Sequence, residues 1–83
     1  MSRLIDRPIR VTVAENGHPR RFFWRGKQYR VRRILELWLD IGAWWEGEPE
    51  KAFWRVETSE GGIFELYRER QDPQTWYLYK IYD

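Results

Sequence analysis

The chain has 83 residues, no cysteine, one histidine and a formal net charge of +2 at pH 7. A chain of this length supports one hydrophobic core, so we expect a single small β domain over residues 1–83. Disulfides and thiolate metal ligands are excluded, and His18 alone cannot build a zinc site, so we predict neither metal nor cofactor. No apolar run suits a signal peptide or a membrane span, which favours a cytoplasmic protein without membrane contact.

The charges are distributed unevenly along the chain. Residues 1–35 carry ten bases and two acids, a net +8, whereas residues 36–83 carry five bases and eleven acids, a net −6. Residues 20–33 alone hold six arginines, one lysine and four aromatics, without an acid. Such asymmetry indicates a surface that faces a polyanion.

The first predicted elements are short strands joined by turns. The segment from Ile9 to Val13 is β-branched and alternating, and residues 15–19 supply turn chemistry. A hairpin follows, because Arg25-Gly26 separates two aromatic runs and glycine accepts the positive φ of a two-residue loop.

Residues 29–41 fit a long, bent strand better than a helix. Odd positions are apolar except Arg33, and even positions are polar except Ile34 and Trp38, so ten of thirteen positions alternate. A helix at about 32–41 is the main alternative, but Leu37 and Leu39 would then face solvent and no N-cap residue precedes it.

Three further strands are predicted at Ala52–Thr58, residues 63–69 and Trp76–Tyr82. The total is about six short antiparallel strands. We therefore predict an all-β fold, either a strongly twisted sheet or a small, partly open barrel.

The geometry of the hairpin sorts its residues into two faces. Pairing across Arg25-Gly26 sets Phe23 opposite Gln28 and Arg21 opposite Arg30, and opposed residues share a face. One face is aromatic and core-like, whereas the other is a cationic stripe with a stranded phenylalanine. Arginines that contact phosphates, beside a ring that stacks on bases, are typical of a nucleic-acid interface. Its predicted residues are Arg21, Phe23, Arg25, Lys27, Arg30 and Arg32.

Internal ion pairing is the alternative for these cations. Acids on adjacent strands, for example Glu57, Glu65 or Glu69, could form surface salt bridges worth about 0–1 kcal/mol each. Against complete internal pairing, Arg21 opposite Arg30 juxtaposes like charges, which destabilises a ladder unless an anion or a nearby carboxylate compensates. Both interpretations stay open at this point.

Trp44 and Trp45 form the second candidate surface. Neighbours on a strand point to opposite faces, so we expect one of them to be exposed as a protein-interface anchor. The alternative is a small second core under the loop at residues 47–49.

Residues with catalytic chemistry are sparse. His18 lies in a Gly-His-Pro turn without a nearby serine or cysteine nucleophile, which predicts a solvated turn histidine. Glu46, Glu48 and Glu50 are interrupted by Pro49 and are not followed by a calcium-loop pattern, which predicts a solvated acidic loop. We predict no catalytic residue and no enzyme activity.

The second half of the chain contains a series of uncommon short sequence motifs. They are Gly42-Ala-Trp44-Trp45, Phe53-Trp54-Arg55-Val56, Gly61-Gly62-x-Phe64-x-Leu66-Tyr67-Arg68, Trp76-Tyr77-Leu78 and Tyr82-Asp83. In this order, over about residues 28–83, they resemble the C-terminal segment of ImuB, the Y-family-polymerase-like subunit of the bacterial mutagenesis cassette, and small stand-alone bacterial proteins sharing that domain. The resemblance implies an accessory domain around translesion synthesis and DNA repair. The polymerase palm and its metal-binding carboxylates are absent, so nucleotidyl transfer is not implied.

Together these observations give two functional hypotheses. The first is a non-enzymatic accessory domain that binds single-stranded or duplex DNA through the basic and aromatic hairpin at residues 20–33. The second is a protein-interaction module that docks on a repair polymerase subunit, or self-associates as a homo-oligomer, through an exposed tryptophan and a sheet edge.

Overall fold

A computed structural model describes residues 2–82 and arranges them in one seven-stranded antiparallel sheet. The strands follow the order β1-β7-β6-β5-β4-β3-β2 across the sheet. The all-β prediction is confirmed, with one strand more than expected. The bounds are β1 Ser2–Ile9, β2 Val11–Val13, β3 Pro19–Trp24, β4 Lys27–Asp40, β5 Lys51–Thr58, β6 Ile63–Glu69 and β7 Asp72–Tyr82, with a short 3-10 turn at Trp44–Glu46.

The extra strand explains how the sheet curls. β1 and β2 lie at opposite ends of the strand order, yet only Arg10 separates them in the chain. β1 and β2 therefore form one nearly continuous segment, whose first part pairs with β7 and whose second part pairs with β3. Between the two parts, the amide of Phe23 donates to the carbonyl of Arg10 at 3.1 Å. Curling in this way joins the two edges at the β1–β2 junction and shortens the exposed edge. The predicted strand from Ile9 to Val13 is corrected to these two strands.

The core fills the concave face of the curled sheet. Strands β5, β6 and β7 place alternate residues there, as the pleat requires. Trp54, in β5, is buried, and its indole N–H donates to the Nδ1 atom of His18 at 2.9 Å. The prediction of a solvated His18 is wrong, because this hydrogen bond and the turn hold the imidazole half-buried against the core. The buried cluster is Phe22, Trp54, Val56, Phe64, Leu66, Trp76, Leu78 and Ile81.

β4 confirms the strand interpretation of residues 29–41 and overturns the helical alternative. Its pairing with β5 slips twice, at Arg32 and at Leu35, so each of these residues is an extra bulge residue. Arg33 and Ile34, the paired exceptions to the alternating pattern, lie between the two bulges, where the parity is inverted. Bulges generally bend the strand that carries them, which is consistent with the bent strand expected here.

The convex face carries its own aromatic layer. Trp38 stacks on Phe53 with centroids 5.3 Å apart, and Phe53 in turn contacts Tyr67 at 5.1 Å. The Tyr67 hydroxyl donates to Asp6 at 2.6 Å and fastens β1 to this layer. Within residues 2–82, no helix is both long and apolar enough to cross a membrane.

Candidate nucleic-acid interface

The β3–β4 hairpin has the predicted register. Arg21 pairs with Arg30 and Phe23 with Gln28, across a two-residue turn at Arg25-Gly26. Arg25 has a φ of 52° and Gly26 a φ of 76°, so both turn residues are left-handed, as in a type I′ hairpin turn. This turn matches the right-handed twist of the strands and fixes which residues share a face.

The two faces of the hairpin divide as the pairing predicts. Phe22 is fully buried and stacks on Tyr29 at 5.2 Å, and it also meets Phe64 edge-on at 5.1 Å. Phe23 points to the convex side and is 41% exposed. A large ring left open to solvent on a well-packed strand is available to stack on another planar group.

Arginines surround the exposed ring of Phe23 on two sides. Arg10 comes from the β1–β2 junction, directly beside Phe23, and both residues line a shallow depression of about 540 Å³ that extends to Arg25. Arg21 and Arg30 form the next cross-strand row of the same face. The sequence prediction missed Arg10, because only the curling of the sheet brings residue 10 beside residue 23. A net charge of +8 in residues 1–35 was the one signal that included it.

Two of the predicted cations already have acidic partners. The Nζ atom of Lys27 lies 2.8 Å from Glu60, and the guanidinium of Arg32 lies 3.1 Å from Glu57. Glu57 also holds Arg33 at 2.9 Å. The hydrogen bond from Arg32, with the charges of both arginines, lowers the pKa of Glu57 in spite of its partial burial. Lys27 and Arg32 therefore form internal ion pairs, as the alternative interpretation expected.

Other cations of this face lack such partners. Across residues 2–82, no carboxylate lies within ion-pair distance of Arg10, Arg21 or Arg30. Glu65, one of the acidic partners expected from the sequence, is buried and accepts hydrogen bonds from Arg55 instead. Uncompensated like charges therefore remain side by side at the β1–β2 junction, on β3 and on β4, a charge distribution that attracts anions.

Arg25 occupies the tip of the hairpin in a different way. Its guanidinium carbon lies 5.3 Å from the ring centroid of Trp24, a cation–π contact. This contact holds the guanidinium beside the ring, where its N–H groups can donate to phosphate oxygens.

The second candidate surface lies beyond the opposite end of β4. Trp44 and Trp45 are 70% and 69% exposed, and their rings meet edge-on at 5.9 Å. The expectation that strand geometry sends them to opposite faces is wrong, because the segment forms a 3-10 turn. The alternative of a second small core is wrong as well, since both rings face solvent.

Comparison with known sequences places this chain in a family. Residues 1–83 match the family model described as Domain of unknown function (DUF6504). The chain belongs to the DUF6504 family. The chain is also similar to Protein ImuB of Caulobacter vibrioides strains NA1000 / CB15N and ATCC 19089 / CIP 103742 / CB 15. Each is 31% identical over 97 aligned residues, which cover 96% of this chain and 21% of the relative.

These matches confirm the resemblance to ImuB. This DUF6504 chain spans about a fifth of the length of the ImuB relatives. No solved structure matches it. In the described part of the DUF6504 domain, no three His, Cys, Asp or Glu side chains are grouped to hold a metal ion.

Proposed function

We propose that this domain is a non-enzymatic accessory domain of DNA-repair or translesion-synthesis machinery that binds nucleic acid. The interface consists of Arg10, Arg21, Phe23, Arg25 and Arg30. The single observation that carries the proposal is the row of uncompensated arginines around the exposed ring of Phe23. Lys27 and Arg32 lie beside this interface and contribute less, because each is already paired.

Electrostatics supports a polyanion as the ligand. Arg21 and Arg30 are directly opposed on neighbouring strands, so folding places two like charges side by side. Like charges in this position destabilise a sheet unless an anion lies between them. A phosphate backbone supplies anions at regular spacing, and each arginine can hold phosphate oxygens with two parallel N–H groups.

Phe23 adds the contact that favours unpaired bases. Stacking of a base on an aromatic side chain is worth about 1–3 kcal/mol. Bases are free to stack in this way in single strands, whereas in duplexes they are already stacked on one another. We therefore expect single-stranded DNA to bind more tightly than duplex DNA.

The repair context rests on the family. The relatives carry the name ImuB and are far longer than this chain, so their activities are not transferred to it. What supports the context is that nearly the whole chain aligns with one segment of these proteins. A cytoplasmic location fits this role and stays a prediction.

The experiment is a titration of fluorescent single-stranded and duplex DNA at two salt concentrations. Arg30→Glu should weaken binding strongly, because it removes one cation and places an acid opposite Arg21. The variant should keep its fold, because the new glutamate and Arg21 carry opposite charges and attract each other across the strands. Arg70→Glu is the matched control, since Arg70 is exposed and pairs with Glu50 outside the interface. No binding by the unmodified protein near about 50 mM salt would exclude the proposal.

A second candidate function is docking on a partner protein through Trp44 and Trp45. The observation that favours it is the exposure of both rings, since exposed tryptophans are frequent anchors of protein interfaces. A repair polymerase subunit is the partner we propose. Capture of the purified subunit should survive nuclease treatment and fail with Trp44→Ser and Trp45→Ser. Capture that disappears with nuclease would assign the contact to nucleic acid instead.

A further inference from the structure

One edge of β4 is open along half its length. β3 pairs with β4 only between Lys27 and Arg30, whereas β5 accompanies β4 as far as Asp40. Among the strands of residues 2–82, none lies on the other side of residues 33–40. An open edge offers backbone N–H and C=O groups to which another strand can pair.

The edge is bulged at Arg32 and Leu35, but residues 36–40 beyond the bulges form a regular ladder with β5. Leu37 and Leu39 face the concave side there, and they are 50% and 64% exposed. No proline and no lysine occurs in residues 33–40, although these residues commonly discourage edge pairing. Exposed leucines on an open edge favour an occupant that is itself a strand.

We propose that a second copy of this chain pairs antiparallel with this edge, about a two-fold axis at Leu37. The inference goes beyond both functions proposed above, since it needs neither nucleic acid nor the exposed tryptophans. A strand that pairs with itself about a two-fold axis forms an isologous interface, in which each contact occurs twice. The edge strand must therefore be complementary to a copy of itself that runs in the opposite direction.

The charges of the edge meet this condition. Arg33 and Asp40 both lie on the convex face, since they pair with Glu57 and Lys51 of β5. Leu35 is a bulge residue, so Arg33 and Asp40 are equally far from Leu37 in the alternating pattern. In the dimer, Arg33 of each copy then lies opposite Asp40 of the other copy, so the pair occurs twice.

Three other arrangements oppose like charges. Centring the axis on Trp38 would set Glu36 opposite Asp40, and centring it on Glu36 would set two copies of that glutamate against each other. An in-register parallel arrangement would set every charge against itself. Since like charges directly opposed are unfavourable, the register centred on Leu37 is favoured over these three arrangements.

The residues that would form these pairs are accessible in the single chain. Arg33 has a side chain that is 63% exposed, and its partner Glu57 keeps Arg32 if Arg33 turns away. Asp40 uses one carboxylate oxygen to accept the amide of Gly42 at 2.9 Å, so its second oxygen can accept from Arg33 of the other copy.

Sedimentation equilibrium without nucleic acid tests the proposal on the full chain. We expect a concentration-dependent dimer that Leu37→Lys converts to monomer, because two lysines would then meet at the axis. Leu4→Lys is the matched control, since Leu4 is an exposed leucine on β1, away from this edge, and the dimer should persist. Near-ultraviolet circular dichroism should show that each variant keeps its fold.

A charge exchange separates the edge from other modes of association. Arg33→Asp alone and Asp40→Arg alone should each weaken the dimer at least about tenfold, because like charges are opposed twice. An equal mixture of the two variants should recover it, since both pairs are restored in the mixed dimer. A monomer at every soluble concentration would overturn the proposal. So would a dimer that ignores Leu37→Lys, or a mixture that fails to recover while both variants remain folded.

Discussion

Replacing Arg30 by glutamine should stabilise the fold while weakening nucleic-acid binding. Arg30 stands directly opposite Arg21, and neither has an acidic partner among residues 2–82. Unit charges about 7 Å apart in water repel each other by about 0.6 kcal/mol, within the range of about 0.2–1 kcal/mol for cross-strand pairs. Glutamine keeps the length of the side chain and removes the repulsion. For a domain of this size, the gain corresponds to a rise in melting temperature of about 2–5 °C.

Thermal and urea unfolding of the two proteins measure this difference. The gain should be largest at low ionic strength and nearly vanish near about 1 M salt, where the Debye length is only about 3 Å. Arg70→Gln is the control, because Arg70 is exposed and lies 3.2 Å from Glu50. It should leave the stability unchanged or slightly lower.

The same variant should bind single-stranded DNA less tightly than the unmodified protein. A residue that lowers stability but supports binding is one that the fold retains for function. If Arg30→Gln destabilises the protein, or if its gain is independent of salt, then the repulsion argued from the register is wrong. The charge-based argument for the interface would then fail with it.

Three further predictions concern the remaining polar contacts. Tyr67→Phe should lower the free energy of unfolding at neutral pH by about 1.5–3 kcal/mol, the value of a hydrogen bond to a charged acceptor such as Asp6. Because burial and that hydrogen bond raise the pKa of Tyr67, its contribution is fully present below about pH 10 and declines progressively as the pH rises further toward the raised pKa, so the variant should lose less stability in alkaline urea titrations. Because its arginine neighbours lower the pKa of Glu57, its contribution is lost as the pH falls below about 4.3, and Glu57→Gln should flatten the acid limb of the stability curve. His18→Ala should cost about 1–3 kcal/mol by leaving the buried indole N–H of Trp54 without an acceptor, as measured by urea unfolding.

The hairpin could be predicted from sequence because its information is local. A glycine in a two-residue loop fixes the register, and the register fixes which side chains share a face. The pairs of Phe23 with Gln28 and of Arg21 with Arg30 follow in this way. The strand at residues 29–41 was also recognised, because alternation survives even where two bulges interrupt it.

What escaped prediction depends on contacts distant in sequence. β1 was missed because the segment SRLIDRPI is mostly exposed and its strand partner is β7, at the other end of the chain. Its role in joining the edges of the sheet, and hence the position of Arg10 beside Phe23, has no local signal. His18 was misjudged for the same reason, because its partner Trp54 is 36 residues away. The start of β7 at Asp72, earlier than predicted, extends the sheet across Pro73, a residue that usually ends pairing.

The salt dependence of binding to single-stranded DNA tests the nucleic-acid interface most directly. Arg10, Arg21, Arg25 and Arg30 offer four phosphate contacts, and each contributes about 0.7 to the slope of log affinity against log salt. We therefore predict a slope of about −3 for the unmodified protein, and a slope shallower by about 0.7 for Arg30→Gln. Absence of binding, or a slope that Arg30→Gln leaves unchanged, would contradict the assignment of this face to nucleic acid.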